Sequence, residues 1–386
     1  MSLPHFAIAG LGVTPMGRIY GRSSTSFAVE AVNLAAADAG LTIDQIDGVL
    51  FNSPGSLHMG LQRALGVHDL GLYAEIQGYG SSAGSMVQYA GMAVSSGMAT
   101  AVACVFADAP LREGLGSGAA YASRRPKAAG INGIAMACGM SGANPRYALA
   151  ARRHMATYGT TEAQFGAIAV QQRGWATSNP AAQMRSPITL DDHLSSRWIA
   201  DPLRLLDCCL VSNGGVAIIV TTAERARDLA QPPVHVLGWG QAHPGVSMEK
   251  GSEFGLVSGA VQSGKTAFSM AGLTHKDVKV AEIYDCYTYT VVVSLEDYGF
   301  CSKGDGGAFA ASGALARGGS LPTNTGGGQL SSYYMWGMTP LAEGIIQARG
   351  QGGERQVEAH DVVLVSGNGG ILDFHSTLLL SPVEAS

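Results

Sequence analysis

The sequence predicts an α/β protein built from two similar halves, and three observations support this prediction. Short apolar runs alternate with helical patterns, which indicates a mostly parallel sheet covered by helices. The order of these elements repeats in the second half of the chain, which suggests an internal duplication. Between the two repeats lies a segment of different character, richer in cations and interrupted by prolines.

The first half begins with three apolar runs that are typical of strands buried on both faces, at Phe6–Gly10, Gly48–Phe51 and Ala101–Ala107. Ser26–Ala39 is rich in alanine, with larger apolar residues at roughly helical spacing. Ser82–Met98 consists mainly of small residues, which suits a helix packed closely in the interior. Strands and helices therefore alternate over the first hundred residues.

The division that follows places residues 1–110 and 206–231 in an N-terminal half, 111–205 in a loop-rich insertion, and 232–386 in a C-terminal half. The insertion contains the densest run of cations, namely Arg112, Arg124, Arg125, Lys127, Arg146, Arg152 and Arg153. In the C-terminal half we predict strands near 234–238, 280–284 and 362–366, and helices near 257–271, 288–298 and 340–349.

Composition excludes several classes of function. The 386 residues are 46% hydrophobic and only 14% charged, from which we expect a large buried core and a subunit interface. A net charge of −5 without a basic run argues against nucleic acid as a partner. No apolar run is long enough for a membrane span, and no signal peptide is visible. Six cysteines without zinc-ligand or disulfide spacing indicate a reducing cytoplasm.

The first segment that could carry chemistry is 78–86, immediately before the small-residue helix. Ser81 or Ser82 would lie at the helix N-terminus, where backbone N–H groups and the helix dipole favour negative charge. An N-cap serine with glycines used for packing would produce the same local pattern.

The second segment is 282–291, at the end of an apolar strand, and it brings Tyr284, Asp285, Tyr287 and Tyr289 together. A phenol has a reference pKa near 10, so it can donate a proton at neutral pH but needs help to act as a base. The alternative is that Asp285 caps a helix and the tyrosines are core aromatics. For Tyr287 and Tyr289 we favour the core.

Two further segments are rich in glycine. In the third segment, 323–340, three consecutive glycines permit close approach of a ligand, and the bulky cluster at 333–336 precedes Pro340, which is suited to open a helix. That cluster could cap the core or shape a wide apolar pocket. In the fourth, a predicted strand runs into a glycine-rich turn at 367–370 that could present N–H groups to an oxyanion. An ordinary glycine turn is the competing interpretation.

Taken together, these segments resemble the thiolase superfamily, in its branch of sterol-carrier-protein-type thiolases. The resemblance runs essentially end to end and is strongest over residues 147–161, 201–220, 282–309 and 322–370. It implies two thiolase half-domains, each a five-stranded mixed sheet flanked by helices, with a loop domain inserted in the first. It also implies a tight homodimer and a CoA thioester ligand held largely by the loop domain.

The chain departs from the thiolase pattern where thiolases carry their reactive residues. The position of the nucleophilic cysteine aligns with Ser81, and that of the activating histidine aligns with Tyr334, or with Tyr333 one residue earlier. The position of the acid/base cysteine aligns with Gly367, and Tyr284-Asp285 occupies the second motif. A serine hydroxyl without a nearby base is a poor nucleophile, so ordinary thiolysis is not expected.

The pattern is more similar to the thiolase-like aldolases that shorten steroid side chains, which cleave a β-hydroxyacyl-CoA by retro-aldol chemistry. In this hypothesis a tyrosinate at Tyr284 or at Tyr333/Tyr334 removes the hydroxyl proton, the other tyrosine protonates the enolate carbon, and Asp285 orients the base. The expected thioester contacts are Ser81, Ser82, Gly327, Gly328, Asn368 and Gly369. Neither a metal nor a permanently bound cofactor is expected, with CoA present only as part of the substrate.

The resemblance also implies a separate small partner with a zinc ribbon and an OB-fold. Two alternatives to a retro-aldolase remain open from the sequence. One is an atypical thiolase or acyltransferase that uses Ser81, and the other is a catalytically silent subunit that binds acyl-CoA.

Overall fold

The computed structural model describes residues 6–52, 58–121, 130–245 and 251–384. The strands of these residues are β1 (Phe6–Val13), β2 (Gly48–Asn52), β3 (Leu72–Glu75), β4 (Ala101–Asp108), β5 (Trp198–Ala200), β6 (Leu203–Arg204), β7 (Gly214–Thr222), β8 (Val234–Ala242), β9 (Val280–Ile283), β10 (Val363–Gly369) and β11 (Phe374–Ser381).

The helices are α1 (Ser24–Ala39), α2 (His58–Leu65), α3 (Ser82–Ser95), α4 (Gly130–Ala137), α5 (Ala143–Tyr158), α6 (Glu162–Ala176), α7 (Leu190–Ser195), α8 (Ala223–Ala226), α9 (Ala260–Ala271), α10 (Thr288–Asp297), α11 (Gly306–Ala311), α12 (Gly328–Ser331) and α13 (Met338–Ala348). Within the described part of the chain, no helix is long and apolar enough to cross a membrane.

The main sheet has the order β3-β2-β4-β7-β1-β8-β11-β10-β9, and its two halves mirror one another about the β1–β8 pair. In each half, two neighbouring strands are parallel (β2 with β4, β9 with β10) and the next pairings inward are antiparallel. Ala7 and Ile8 of β1 pair with His235 and Val234 of β8, which joins the halves into one sheet. The predicted duplication is thus visible as a repeat of strand order and direction.

The C-terminal half departs from the expected five strands. Where β3 lies in the first half, the described residues of the second half have only an isolated parallel bridge between Ala281 and Thr323. Ala281 donates to the Pro322 carbonyl at 3.0 Å, and Asn324 donates to the Ala281 carbonyl at 3.0 Å. Because Pro322 has no N–H to donate, this segment cannot extend into a regular ladder.

Three apolar clusters form the core. The central cluster combines one face of both half-sheets with α3 and α13, including Met86, Val87, Leu341 and Ile345. A second cluster lies between the first half-sheet and α1 and α2. A third joins α9 and α10 of the second half to α5 and α6 of the insertion. The insertion therefore packs on the C-terminal half.

Paired glycines in β1 and β8 let a helix approach each half-sheet closely. A Cβ on Gly10 or Gly12 would lie 2.1 Å from a carbonyl oxygen of α1, and one on Gly238 or Gly240 would lie 2.2 or 2.1 Å from a carbonyl oxygen of α9. No side chain fits in such a gap. The close approach is repeated in both halves, which adds to the evidence for duplication.

The insertion contains α4 to α7 and the two-stranded β5–β6 sheet. The predicted helix ending near His154 is α5, which continues to Tyr158 and stops at Gly159, whose φ of 77° is left-handed. The cations Arg124, Arg125 and Lys127 lie outside the described residues.

Candidate active site

A cavity of about 520 Å³ lies where β9, β10 and the loop before α13 meet the insertion. Its walls come from the turn before α3, from α4 and α5, from the end of β9, and from the β10–β11 turn. The residues that line it are Tyr79, Met136, Met140, Ser141, Gly142, Ala143, Arg146, Tyr147, Cys209, Tyr284, Cys286, Tyr287, Tyr334, Trp336, Gly369, Gly370, Ile371, Asp373 and Phe374.

Two tyrosines meet at the wall of this cavity. The hydroxyl oxygens of Tyr284 and Tyr334 are 3.3 Å apart. The Tyr284 backbone is held at the end of β9 by its N–H, which donates to the Ser366 carbonyl at 3.0 Å. The Tyr334 N–H donates to Oγ of Ser212 at 3.0 Å. The phenols therefore face each other from two independently anchored segments.

Burial raises the pKa of both phenols well above the ordinary value, and for Tyr284 the hydrogen bond to Tyr334 opposes this only in part. Both tyrosines are consequently protonated at neutral pH. The neutral phenol is the resting form of both residues, because burial disfavours the charged phenolate.

Tyr333 occupies different surroundings. It packs in the central cluster and lines a small internal cavity of about 10 Å³ beside Glu282 and Glu343, away from Tyr284. Burial is the main cause that raises the pKa of its phenol, followed by the charge of Glu343. The geometry therefore selects Tyr334 over Tyr333 as the partner of Tyr284.

Asp285 lies directly after Tyr284 but points away from the tyrosine pair. Its carboxyl group accepts hydrogen bonds from the N–H of Gln329 at 2.9 Å and of Leu330 at 3.2 Å. Burial raises its pKa to about 7, and these backbone donors lower it only partly. Any orienting effect of Asp285 on Tyr284 would act through the backbone and α12, since its hydrogen bonds in the described residues go to main-chain donors.

A buried polar cluster lies behind Asp285. Oγ1 of Thr325 is 2.8 Å from Oε1 of Glu282 and 3.0 Å from Oε1 of Glu343. Arg355 donates to both oxygens of Glu343, at 2.8 and 3.1 Å. Burial and then the charge of Glu343 raise the pKa of Glu282 well above its usual range. Glu282 is therefore the member of this cluster that its surroundings favour as the neutral acid.

The serines of the first segment are not available to a substrate. Ser81 is fully buried, and both its hydroxyl, at 2.8 Å, and its N–H, at 3.0 Å, donate to the Gly78 carbonyl. The Ser82 N–H donates to the Tyr79 carbonyl, and its buried hydroxyl has no partner within the described residues. Neither serine lines the 520 Å³ cavity, and among the described residues the Ser81 hydroxyl has no basic side chain as a hydrogen-bond partner.

Gly327 and Gly328 have a packing role, and neither lines the 520 Å³ cavity. A Cβ on Gly327 would lie 2.6 Å from the Cβ of Ala176, and one on Gly328 would lie 2.2 Å from Oδ2 of Asp285. Both glycines have positive φ, at 98° and 59°, which only glycine adopts readily. They make room for α6 and for the Asp285 carboxyl group.

The fourth segment contributes one edge of the cavity. Strand β10 continues through Gly369, so the turn begins only at Gly370, whose φ is 64°. Gly369 and Gly370 line the cavity, and the Gly370 N–H donates to no group within the described residues. The Asn368 side chain is buried, does not line the cavity, and has an amide without a partner in the described part of the chain. Gly369 is therefore well placed for a ligand, whereas Asn368 is not.

Backbone strain is concentrated in the cavity wall. Tyr79, Trp336 and Ile371 have left-handed φ values of 52°, 49° and 63° although none is a glycine. Such conformations disfavour the folded state by about 1–3 kcal/mol each and persist only where surrounding contacts impose them. The rings of Tyr79 and Trp336 lie 5.8 Å apart, and Trp336 stacks on Phe106 at 4.9 Å. The strain fixes an aromatic face opposite the insertion.

Some of the residues that line the cavity could not be assigned to it from the sequence alone. Arg146 appeared there only as one cation of the insertion, yet its buried Nε faces this region without a partner among the described residues. Tyr79 carried no pattern that separates a cavity wall from a core, and Trp336 belongs to the cluster at 333–336, for which the sequence left both a core cap and a pocket wall open. Only tertiary contact between three distant segments identifies them.

The chain is similar to proteins of the thiolase superfamily. Residues 240–382 match the family model described as thiolase C-terminal domain-like. The chain is 38% identical over 378 residues to the 17-hydroxy-3-oxo-4-pregnene-20-carboxyl-CoA lyase of Mycobacterium tuberculosis, covering 94% of this chain and 96% of the relative. It is 37% identical over 378 residues to a steroid side-chain-cleaving aldolase of Thermomonospora curvata, covering 94% and 95%.

A solved structure named Ltp2-ChsH2(DUF35) aldolase superposes with a TM-score of 0.88 at 36% identity, covering 99% of each chain. The predicted thiolase fold is thereby confirmed, as is the resemblance to its aldolase group. The chain belongs to the thiolase superfamily, among the thiolase-like aldolases that cleave steroid side chains.

Proposed function

We propose that this protein is a carbon–carbon lyase that cleaves a bulky β-hydroxyacyl-CoA to a ketone or aldehyde and a shortened acyl-CoA. The observation that carries the proposal is the pair of phenols 3.3 Å apart at the wall of a 520 Å³ cavity. They stand in a thiolase scaffold whose nucleophile position holds the buried Ser81. Two proton-transfer groups without a nucleophile suit retro-aldol cleavage and do not suit acyl transfer.

The proton balance explains how two neutral phenols suffice. Retro-aldol cleavage moves one proton from the β-hydroxyl to Cα, as the Cα–Cβ bond breaks and its electron pair forms the enolate. One tyrosine accepts the hydroxyl proton as its own phenolic proton passes to the second tyrosine, whose phenolic proton goes to Cα. Both phenols end the cycle protonated, which agrees with their raised pKa values.

The enolate oxygen of the thioester needs hydrogen-bond donors while the bond breaks. The Gly370 N–H supports this role, because it lies at the cavity edge and donates to nothing else among the described residues. Gly369 lies on the same edge, and because it has no side chain a ligand can approach the backbone closely there. Removal of one such donor typically lowers kcat by about 10²–10³-fold.

The cavity supports a large acyl group. Its volume lies within the ~300–1,000 Å³ range of small-molecule sites, and Tyr79, Trp336 and Phe374 supply a broad aromatic face. The two relatives named above act on steroids, and we infer a polycyclic or similarly bulky acyl chain here. Arg146 lines the same cavity with an unpartnered Nε among the described residues, which supports a contact with an oxygen of the CoA thioester substrate. CoA enters only as part of that substrate.

We also infer a homodimer, a separate small partner protein and a cytoplasmic location. Helix α3 is buried over most of its length but exposes Tyr89 and Met92, which suits a subunit interface. The name of the similar structure joins the aldolase to ChsH2(DUF35), which supports a zinc-ribbon/OB-fold partner.

All six cysteines are free thiols, as expected in a reducing compartment. The division at 111–205 remains our proposal for the loop domain.

The proposal is tested by incubating the protein with a tertiary β-hydroxyacyl-CoA, with and without the partner. We expect equimolar ketone and shortened acyl-CoA, with the same rate in Ser81→Ala. CoA-dependent cleavage of a β-ketoacyl-CoA that Ser81→Ala abolishes would instead establish a thiolase. Absence of both activities in the presence of the partner would leave only a binding role.

A further inference from the structure

A second cavity, of about 430 Å³, lies at the end of β9 opposite Tyr284 and shares no residue with the tyrosine-lined cavity. We call it the basic groove. It is lined by Trp175, Lys276, Val278, Lys279, Arg317, Gly318, Gly319, Ser320, Pro322, Gln356, Val357, Glu358 and Ala359. These residues come from four separate stretches of the chain, so the groove exists only in the folded protein.

The charges around the groove are unbalanced. Three of its lining side chains are cations, Lys276, Lys279 and Arg317, against the single carboxylate of Glu358. Neither lysine forms an ion pair or a side-chain hydrogen bond within the described residues. The nearby Asp277 lies outside the lining; its carboxyl group accepts hydrogen bonds from Thr274 at 2.8 and 2.9 Å, and the charge of Lys279 contributes to lowering its pKa. The lining side chains carry an excess of two positive charges, which Asp277 reduces to one, on a protein whose net charge is −5.

Arg317 is held in place by its neighbours. Its guanidinium lies 5.1 Å from the ring centroid of the buried Trp175. One terminal nitrogen donates to Oγ of Ser178 at 2.6 Å, and the other donates to the Glu354 carbonyl. Neither contact is with a carboxylate, so the positive charge is fixed but not neutralised.

The Gly318–Ser320 turn adds neutral donors between the cations. Gly318 has a left-handed φ of 78°, and a Cβ on Gly319 would lie 2.3 Å from the Ala314 carbonyl, which holds the turn tightly. Among the described residues, the N–H groups of Gly318 and Ser320 have no hydrogen-bond acceptor. The Ser320 hydroxyl also has no acceptor there. Backbone N–H groups in such a turn commonly bind anions.

We propose that the basic groove binds a phosphorylated small molecule of nucleotide size, at a site separate from the substrate cavity. The two lysines and Arg317 would neutralise a diphosphate, and the turn would donate to its oxygens. A volume of 430 Å³ exceeds the needs of a phosphate alone, and Val278, Pro322 and Val357 offer apolar contacts to an organic group. This inference is independent of the lyase activity.

The test uses calorimetric titration of the full-length protein with ADP, pyrophosphate and adenosine as probes. We expect ADP and pyrophosphate to bind, adenosine to bind far more weakly, and added salt to weaken both anions. The double variant Lys276→Ala/Lys279→Ala should lower ADP affinity at least tenfold. The matched control is Lys265→Ala, which removes an exposed lysine of α9 and should change nothing.

A further variant, Arg146→Ala, separates the groove from the substrate cavity and should leave ADP binding unchanged. Three outcomes would overturn the proposal. The first is that ADP binding is lost in Arg146→Ala but not in the lysine variant. The second is that pyrophosphate binds and ADP does not. The third is that neither anion binds at millimolar concentration. Circular dichroism verifies that each variant is folded.

Discussion

The two halves of the molecule share a strand order, yet they differ in what their equivalent segments carry. Strands β2 and β9 occupy equivalent positions, and so do helices α3 and α13. In the N-terminal half, the turn before α3 holds glycines and two serines, with no ionisable group besides the exposed Tyr79. In the C-terminal half, the end of β9 and the loop before α13 hold Tyr284, Asp285 and Tyr334. The N-terminal half thus contributes an uncharged wall to the cavity, and the C-terminal half contributes the proton-transfer groups.

This difference has a packing basis. The Gly80 position has no room for any side chain, because a Cβ there would lie 2.2 Å from both the Tyr284 ring and the Asn368 carbonyl. A Cβ on Gly337 would lie 2.1 Å from the Gly80 carbonyl oxygen, and one on Gly367 would lie 2.8 Å from that oxygen and 3.0 Å from Cα of Ser81. The N-terminal half therefore serves as a backbone surface against which the reactive tyrosine of the other half is held.

The largest expected effect on stability comes from the buried ion pair of the C-terminal half. Glu343→Gln leaves the Arg355 guanidinium without its carboxylate in a largely buried site, so we expect the free energy of unfolding to fall by about 3–5 kcal/mol. Chemical denaturation measures it. The control Glu384→Gln removes the exposed pair with Arg227 and should leave stability unchanged. Equal losses in the two variants would contradict the special role of the buried pair.

Substitution of the paired glycines tests whether the close packing of a helix on the sheet contributes equally to stability in the two halves. Gly10→Ala and Gly238→Ala each place a Cβ about 2 Å from a helix carbonyl, and overpacking of this kind lowers stability by roughly 1–3 kcal/mol. We expect similar losses in the two variants, measured by denaturant titration. The control is Gly174→Ala in α6, where a Cβ meets nothing within 4 Å and helix propensity favours alanine. A loss in only one half would show that the equivalence is limited to topology.

A smaller effect is a dependence of stability on pH that arises from His375 in β11. Burial lowers the pKa of its imidazole from 6.5 to about 3. The unfolded chain therefore binds a proton that the folded chain does not, and stability falls as the pH drops from 6.5 towards 3. The expected loss at pH 5 is about 2 kcal/mol. His375→Gln should flatten this slope in denaturation series between pH 7 and pH 4, whereas an unchanged slope would assign the acid sensitivity to other groups.

Much of this architecture could be predicted from the sequence because it depends on local pattern. The apolar strands, the small-residue helix α3 and the duplicated order follow from periodicity, and the vacated thiolase positions follow from resemblance. The missing fifth strand of the C-terminal half was not predicted, because the effect of Pro322 on its pairing depends on the neighbouring strand.

The site itself was only partly predictable. Tyr284 and Tyr334 were identified as candidates, but the distance between their hydroxyl groups and the inward orientation of Tyr333 depend on tertiary packing. Likewise, Ser81, Gly327 and Gly328 stand in segments suited to ligand contact, and only the structure shows that carbonyl groups and side chains already fill the space around them. Burial also decides the protonation of the phenols, which a sequence does not reveal.

The central claim is that the phenol pair of Tyr284 and Tyr334 carries the proton transfer of carbon–carbon cleavage. The most direct test compares kcat for a tertiary β-hydroxyacyl-CoA among Tyr284→Phe, Tyr334→Phe and the matched control Tyr333→Phe. We predict losses of about 10²–10⁴-fold in the first two variants and a near-normal kcat in the third. Full activity in Tyr284→Phe and Tyr334→Phe, or an equal loss in folded Tyr333→Phe, would contradict the mechanism.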